Sequence, residues 1–471
     1  MPDATIVKST MFSEKMKREK LPDSVIDTFL HYFIQLEKGS SGLIPEDKIT
    51  PLSQSEIKNL EEIKNWDTIG KNALKNCVII KLNGGLGTTM GLKKAKSLIP
   101  VKSSYSFMDI TAKQIEYLNS RFNTAIPLLL MNSFKTEEDS LNLLEKYDRI
   151  KTDIPFSFLQ HKFPKIQCST LTPASWSQNP SLEWNPPGHG DLYTAFITSN
   201  ILDKLIESGY KYAFVSNIDN LGASLDTSIL GYFSANGYSF MMEVTDRTFM
   251  DRKGGHLAKH KNGHLLLRES AQCPDSDKEY FMDIDRHRFF NTNNLWLNLV
   301  SLREVLRKRH NFLELPLIVN TKNLDPRDKK SPKVFQIETA MGSAISVFDN
   351  ATALRVPRSR FAPVKSCEDL LLLWSDYYLL TEDIKIVQNP QRKATHVDIN
   401  LDPRFYSRID QLQSRFPNGA PSLLECESLT IKGDVTFGAN IKVFGSVIIQ
   451  NDSDRAIEIK DNTIIDRDLT F

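Results

Sequence analysis

The sequence predicts an α/β protein, with helices layered on a mostly parallel sheet, that ends in a C-terminal parallel β-helix. Three observations carry this. From Cys77 onward, short apolar and β-branched runs alternate with helical patterns, as they do where helices cross over a parallel sheet. The first such run stops in a glycine-rich loop, KLNGGLGTTMGLKKAK over 81–96. Near the C-terminus Leu429, Val435, Ile441 and Val447 recur every six residues, and Ile431, Phe437, Val443 and Ile449 keep the same period two places later.

Composition narrows the class. With 471 residues and 40% hydrophobic content, the chain is long enough for about two or three domains and a sizeable core, so it needs no disulfides. Its five cysteines, Cys77, Cys168, Cys273, Cys367 and Cys426, are scattered and form no C-x-x-C pair. That usage fits a reducing compartment and argues against a structural zinc site. No apolar run approaches the about 18 residues of a spanning helix, so no membrane partner is expected and the chain reads as soluble and cytoplasmic. Fifty-nine basic against fifty-eight acidic residues leave a formal charge of +1, which gives no global attraction to nucleic acid. Positive charge that matters must be local.

Taken in order, residues 1–20 are polar and read as mobile. Pro22 opens a helix in which Val25, Ile26, Phe29, Leu30 and Phe33 recur at helical spacing, and Gly39 ends it. Ser53 with Glu56 is a capping-box spacing that predicts a second helix through Ile57, Leu60 and Ile63. A strand over 77–81 runs into the glycine loop, a helix over 109–121 leads to a central strand over 125–131, and 154–160 forms a further strand. Asp191 is placed to cap one helix carrying Leu192, Ala195, Phe196, Leu202, Leu205 and Ile206, closed by Gly209. Tyr212 to Ser216 is a strand running into NIDN. Ligands of open α/β sheets sit beyond the carboxyl ends of the strands. The ends at Leu82 to Gly87, at Gln160 and at Asn217 to Asp219 should therefore border one crevice. The divisions that follow are an N-terminal helical extension over 1–50, a main domain over 51–383 and a β-helix domain over 384–471. In the β-helix each six-residue step is a short strand that needs its neighbours to bury its face, a period that a meander does not require. So short a solenoid reads as a surface for docking or for homo-oligomer assembly.

The glycine loop is of neither common type. Met90 stands where the dinucleotide spacing needs glycine, and no Gly-Lys-Ser/Thr is present. Gly84, Gly85 and Gly87 still let bare backbone N–H groups approach a phosphate or a base. Lys96 lies far enough on to fold back as a movable point charge, with Lys93 and Lys94 beside it; a solvated surface explains the same run equally. Asp219, just past a buried strand, is placed either to hold Mg²⁺, which takes one or two carboxylates plus phosphate oxygens and water, or simply to form a turn. His189, in PPGHGD, has a fixed backbone and little local packing, which favours ligand contact. Gln160 and Asn217 offer donor and acceptor to a base edge or sugar hydroxyl, or else cap strand ends. Arg358, Arg360 and Lys365 in VPRSRFAPVK make a local basic strip suited to phosphate, which salt bridges would explain as well.

KLNGGLGTTMG, FLQHKFPKI, PPGHGDLY, FVSNIDNLGA, KGGHL, FNTNNLW, QIETAMGSAI, VPRSRFAPVK and GDVTFGANI occur in this order. From about residue 45 to 450 this set resembles the eukaryotic-type UTP–glucose-1-phosphate uridylyltransferase, or UDP-glucose pyrophosphorylase, family. Nine separated motifs in register are far more specific than one glycine loop. The resemblance implies a GT-A-like nucleotidyltransferase domain with a mixed, mostly parallel sheet, and a left-handed hand for the C-terminal β-helix. It also implies reversible, Mg²⁺-dependent transfer of UMP from UTP to glucose 1-phosphate, giving UDP-glucose and pyrophosphate. By motif, Leu82, Asn83, Gly84 and Gly85 would hold the uridine, with Gln160 and Gly188 helping to read uracil. Lys96 would bind the β and γ phosphates, Asp219 would ligate Mg²⁺, and Lys365 would sit against the reacting phosphates. His189, Asn217, Gly255, Glu269 and Asn291 would line the hexose pocket.

The chain departs from the family in places. Where members read close to GCKGPKS, it has Gly91, Leu92, Lys93, Lys94, Ala95, Lys96 and Ser97; the lysine is kept, but Lys94-Ala95 in place of Gly-Pro alters loop stiffness and charge. His256 replaces the usual threonine after Gly254 and Gly255, and the tail after Asn451 is shorter and more charged than in members that assemble end to end. Two other readings stand beside the main one. They are a pyrophosphorylase for another sugar 1-phosphate, and a paralogue without activity that serves as a binding or scaffold subunit; retention of Lys96, Asp219 and Lys365 weighs against the second.

Overall fold

The apolar run at Cys77 becomes an inner strand of an eleven-stranded sheet in the computed structural model, which describes residues 4–92, 94–392 and 397–471. In chain order the strands are β1 (Ile49–Thr50), β2 (Lys58–Asn59), β3 (Cys77–Asn83), β4 (Leu128–Asn132), β5 (Ser157–Leu159), β6 (Tyr212–Asn217), β7 (Phe240–Asp246), β8 (His256–His260), β9 (Leu265–Arg268), β10 (Phe289–Asn298) and β11 (Ala351–Arg355). The main path runs β2-β11-β7-β10-β6-β3-β4-β5, and β8 carries β1 and β9 as a wing beside β10. Along the path only β10 runs antiparallel to its neighbours, so the sheet is mixed and mostly parallel. Alternation explains how β3 serves both layers. Cys77 and Ile79 join one buried cluster, and Val78 and Ile80 the other.

The helix predicted over 109–121 spans Phe107–Phe122, started by a capping box in which Ser106 and Asp109 exchange side-chain and backbone hydrogen bonds. Other expectations are corrected by tertiary contacts. Much of the stretch expected to be mobile is ordered: Ala4–Arg18 is a helix whose Phe12 ring lies tilted at 5.0 Å from Phe29 and 4.6 Å from Phe33. These rings pack on Phe163, Ile166 and Leu317, so the two N-terminal helices are fastened to the α/β body. Ser53 and Glu56 do form their capping box, but it opens a three-residue 3₁₀ turn, and Lys58–Asn59 is drawn into the sheet as β2. A second box, Asn59 with Glu62, starts the next 3₁₀ segment, Leu60–Trp66, and the α-helix Asp67–Ala73 follows. The single helix expected from Asp191 is two, Leu192–Thr198 and Ile201–Glu207, broken where Asn200 adopts φ +57°. Asp191 caps neither with its side chain; its carboxylate accepts from His161 N at 2.7 Å.

The C-terminal strands are β12 (Asp398–Leu401), β13 (Ser422–Lys432), β14 (Val435–Phe437), β15 (Lys442–Gln450), β16 (Ile457–Ile459), β17 (Ile464–Ile465) and β18 (Leu469–Thr470), and all their pairings are parallel. Leu429 lies opposite Val447 and Ile431 opposite Ile449, three six-residue steps on. Past Asn451 the pairing of Val435 with Ile457 no longer keeps that count, because a turn is inserted before β16. The buried residues of this stack belong to the same apolar cluster as Ile79, Phe214 and Trp296 of the central sheet. Among the described residues no helix is long and apolar enough to cross a membrane.

Candidate functional site

The strand ends predicted to share a crevice do meet. Leu82 pairs with Asn217 across β3 and β6, Ile218 N donates to Leu82 O at 3.2 Å, and Gln160 N donates to Asn132 O at 2.8 Å. Gln160 Nε2 donates to Gly188 O at 3.0 Å, and a Cβ on Gly84 would stand 2.8 Å from Gln160 Oε1. Gly188 has φ +79° and its absent Cβ would lie 2.4 Å from Thr339 O, so this corner requires glycine twice over. Asn83 is turned inward: its side-chain amide donates to Asn132 Oδ1 and Ser140 Oγ, both at 2.7 Å. Around Gly85 there is open space.

The loop returns through Lys96, whose N–H donates to Gly85 O at 3.2 Å. Its ammonium lies 2.5 Å from Asp219 Oδ2 and also donates to Val364 O. Lys96, Asp219 and the residue before Lys365 are thereby joined at one point. Lys93 lies outside the described residues, and Lys94 is exposed. The basic strip is largely consumed by structure. Arg358 grips both oxygens of Asp251 at 2.6 and 2.9 Å, and Arg360 grips those of buried Glu243 at 2.7 and 2.8 Å. Lys365 stays exposed, its positive charge close enough to act on Glu269.

Of the hexose-pocket candidates, Gly255, Glu269 and Asn291 come together, while Asn217 lies opposite Leu82 at the end of β6 and His189 against Met341. A Cβ on Gly255 would fall 2.5 Å from Glu269 Oε2, and Asn291 N donates to Gly255 O at 3.2 Å. Burial pushes the Glu269 carboxyl up to about 7, against the pull of Lys365 and a hydrogen bond with Asn291. Burial holds the His189 imidazole down at about 4, so it is neutral; Met341 N donates to its Nδ1 at 2.9 Å, which puts the ring proton on Nε2. His256 is fully buried and stacks on His287 at 3.9 Å, in the packing beneath Gly255 and not at its surface.

Two residues escaped the sequence reading. Asn220, 2% exposed, donates to Arg360 O at 3.1 Å and Asn294 Oδ1 at 3.2 Å and accepts from Ala362 N at 2.9 Å, which clamps the Asp219 turn to the segment that carries Lys365. Lys81 lies buried in β3 with its ammonium on Ser216 Oγ at 2.7 Å and Ala223 O at 2.8 Å. A lone lysine inside the buried run CVIIKLN was a signal for the second; for the first nothing but its place after Asp219 pointed to it.

For a metal, the donor set can be judged directly. Among the described residues no three His, Cys, Asp or Glu side chains cluster to form a protein-only cage. A single carboxylate at a strand end, with Lys96 on one of its oxygens, suits Mg²⁺ completed by phosphate and water. Cations and a carboxylate thus meet where bare backbone ends, which is the layout of an α/β protein that handles phosphorylated nucleotides.

Comparison with known proteins agrees. The family model for UTP–glucose-1-phosphate uridylyltransferase matches residues 26–443. The Solanum tuberosum protein of that name is 39% identical over 90% of this chain and 84% of its own length, and the Encephalitozoon cuniculi protein 39% over 97% and 90%. Among solved structures, a mutant UDP-glucose pyrophosphorylase from Leishmania major in complex with UDP-glucose superposes with a TM-score of 0.89 at 40% identity, covering 99% of both chains. A Trypanosoma brucei structure gives 0.88 at 41% identity, covering 98% of this chain and 99% of that one. The chain belongs to the UTP–glucose-1-phosphate uridylyltransferase family, and so to the nucleotidyltransferases.

Proposed function

We propose that the protein catalyses the reversible transfer of UMP from UTP to glucose 1-phosphate, giving UDP-glucose and pyrophosphate, with Mg²⁺ as cofactor. The observation that carries this is the junction of Lys96, Asp219 and Val364 beside Lys365, which ties the glycine loop, a metal-suited carboxylate and a second lysine together. An oxygen of glucose 1-phosphate attacks the α-phosphorus of UTP in line as the bond to the departing pyrophosphate breaks. That oxygen is already ionised at neutral pH, so the chain's task is alignment and charge neutralisation. Lys96 leaves Asp219 for the β and γ phosphates, and Lys365 stands against the reacting groups. Mg²⁺, held by Asp219, supplies further charge neutralisation when bound.

Backbone at Leu82, Asn83, Gly84 and Gly85 holds the uridine, and Gln160 with Gly188 presents amide and carbonyl to uracil. His189 donates through Nε2 to a sugar hydroxyl, and Asn217, Gly255, Glu269 and Asn291 complete the hexose wall. We assign residues 1–50 to a helical extension, 51–383 to catalysis and 384–471 to a left-handed β-helix that offers a homo-oligomer surface; the parallel pairings and the step from Leu429 to Val447 support the β-helix. Scattered free cysteines support a reducing, cytoplasmic setting. Pyrophosphate release measured with UTP and, side by side, glucose, galactose and N-acetylglucosamine 1-phosphates tests the function. Preference for another sugar, or no release with any, would overturn it.

A further inference from the structure

A cavity of about 300 Å³ lies between β3, β6 and the helix Phe107–Phe122, and Lys81 lines it. This volume is at the lower end of small-molecule pockets. Lys81 is 3% exposed, and of its three N–H donors two go to Ser216 Oγ and Ala223 O. The carboxylates whose charge reaches it are committed elsewhere: Glu243 to Arg360 at 2.7 Å, and Asp219 to Lys96 at 2.5 Å. The two carboxylates in the cavity lining are also occupied. Asp226 accepts from Ser228 N and Ile229 N, and Asp383 pairs with Lys385 at 2.7 Å. Among the described residues no carboxylate forms an ion pair with Lys81, and burial, with the charge of Arg360, draws its ammonium down to about 7, so an anion seated on it would also hold it charged. Phe214, Leu118 and Phe122 give the same cavity apolar walls.

We propose that this cavity binds a small amphipathic anion, with its apolar body against Phe214, Leu118 and Phe122 and its carboxylate or phosphate on Lys81. Occupancy regulates turnover. The ammonium now ties Ser216, directly before Asn217, to Ala223, at the far end of the turn that begins with Asp219; a bound anion draws it away and loosens that turn. This consequence rests on the assignment of Asp219 to the reaction, whereas the binding does not.

Titration calorimetry on the full chain with 2-naphthoate, and with uncharged 2-naphthamide as control, tests the site. Naphthoate should bind saturably and about tenfold or more tighter than the amide, the scale of one hydrogen bond to a charged group. Lys81→Met should weaken it about tenfold and Leu118→Trp, which fills the cavity, should abolish it. Naphthoate should still bind saturably with UTP at saturation, which separates the cavity from the nucleotide crevice without any variant. Equal binding of the two probes, competition with UTP, or no saturable binding at millimolar concentration would overturn the site. With naphthoate bound, turnover at saturating UTP should fall. Unchanged turnover refutes the regulation if Asp219→Asn is inactive; an active Asp219→Asn shows instead that the role given to Asp219 is wrong.

Discussion

Lys96 rests on the carboxylate that suits the metal and on the carbonyl preceding Lys365. Lys96→Ala and Lys365→Ala should each lower turnover about a hundredfold or more, the scale of losing one transition-state donor; near-normal pyrophosphate release in both would refute their roles. Glu269 supplies a pH dependence whose sign can be worked out. Its carboxyl ionises at about 7 when folded against the usual 4.5, so the folded chain holds that proton longer. Stability therefore falls as pH rises from about 4.5 to about 7 and is level above it. Glu269→Gln should raise Tm above pH 7 and have little effect on it near pH 4.5, as scanning calorimetry would record. The same ionisation should govern sugar binding: one pH unit below 7 only about a tenth of the carboxyl is ionised, so KM for glucose 1-phosphate should rise more steeply there in the parent than in Glu269→Gln.

At the scale of elements, the turn after β6 closes on its own backbone, Asn220 N to Asn217 O at 3.2 Å and Ala223 N to Asn220 O at 3.1 Å, and is tied to the Lys365 segment by the Asn220 side chain and by Val364 N on Asp219 O at 3.2 Å. Asn220→Ala strands the N–H of Ala362 and Oδ1 of Asn294, while the carbonyl of Arg360 keeps Asn294 Nδ2 at 3.2 Å, which should cost about 1–3 kcal/mol in denaturant unfolding. It should also lower kcat, and in a Lys365→Ala background that kcat effect should shrink while the stability loss persists. Additive kcat effects would show that Asn220 does not act through Lys365. The N-terminal helix makes a simpler claim. Phe12 is fully buried among Phe29 and Phe33, so Phe12→Ala should destabilise by about 3–5 kcal/mol, read as a lower urea midpoint with turnover per folded molecule unchanged.

At the scale of the molecule, one apolar cluster runs from the central sheet into the C-terminal stack, and the glycine loop touches that half directly: a Cβ on Gly91 would come within 3.1 Å of Arg408. The Lys94-Ala95 departure sits in the stretch between Gly91 and Lys96, where a stiffer Gly-Pro is replaced by residues with ordinary freedom. Outward-facing Ile448, Ile464 and Phe471, which are 40%, 62% and 45% exposed, leave apolar surface on the far side of the stack.

Much of this was legible in the chain itself. Alternating apolar runs specify strands and helices because burial follows a period of two or 3.6 residues, so β3, β6 and the helix after Ser106 lie where the pattern puts them. Glycines at a strand end, a lysine beyond them and an aspartate after the next parallel strand marked one crevice because a parallel sheet aligns its carboxyl ends. Spacing could not decide which charges are free. Arg358 and Arg360 read like Lys365 in sequence, yet Asp251 and Glu243, more than a hundred residues away, neutralise them. Nor could it show that polar residues 1–20 hide Phe12 and Met16, that Asn83 turns inward, or that Asn220 ties the Asp219 turn to the segment that carries Lys365. These depend on partners brought close only when distant segments pack, and electrostatic and hydrogen-bond energies fall off over a few ångströms that sequence distance does not measure.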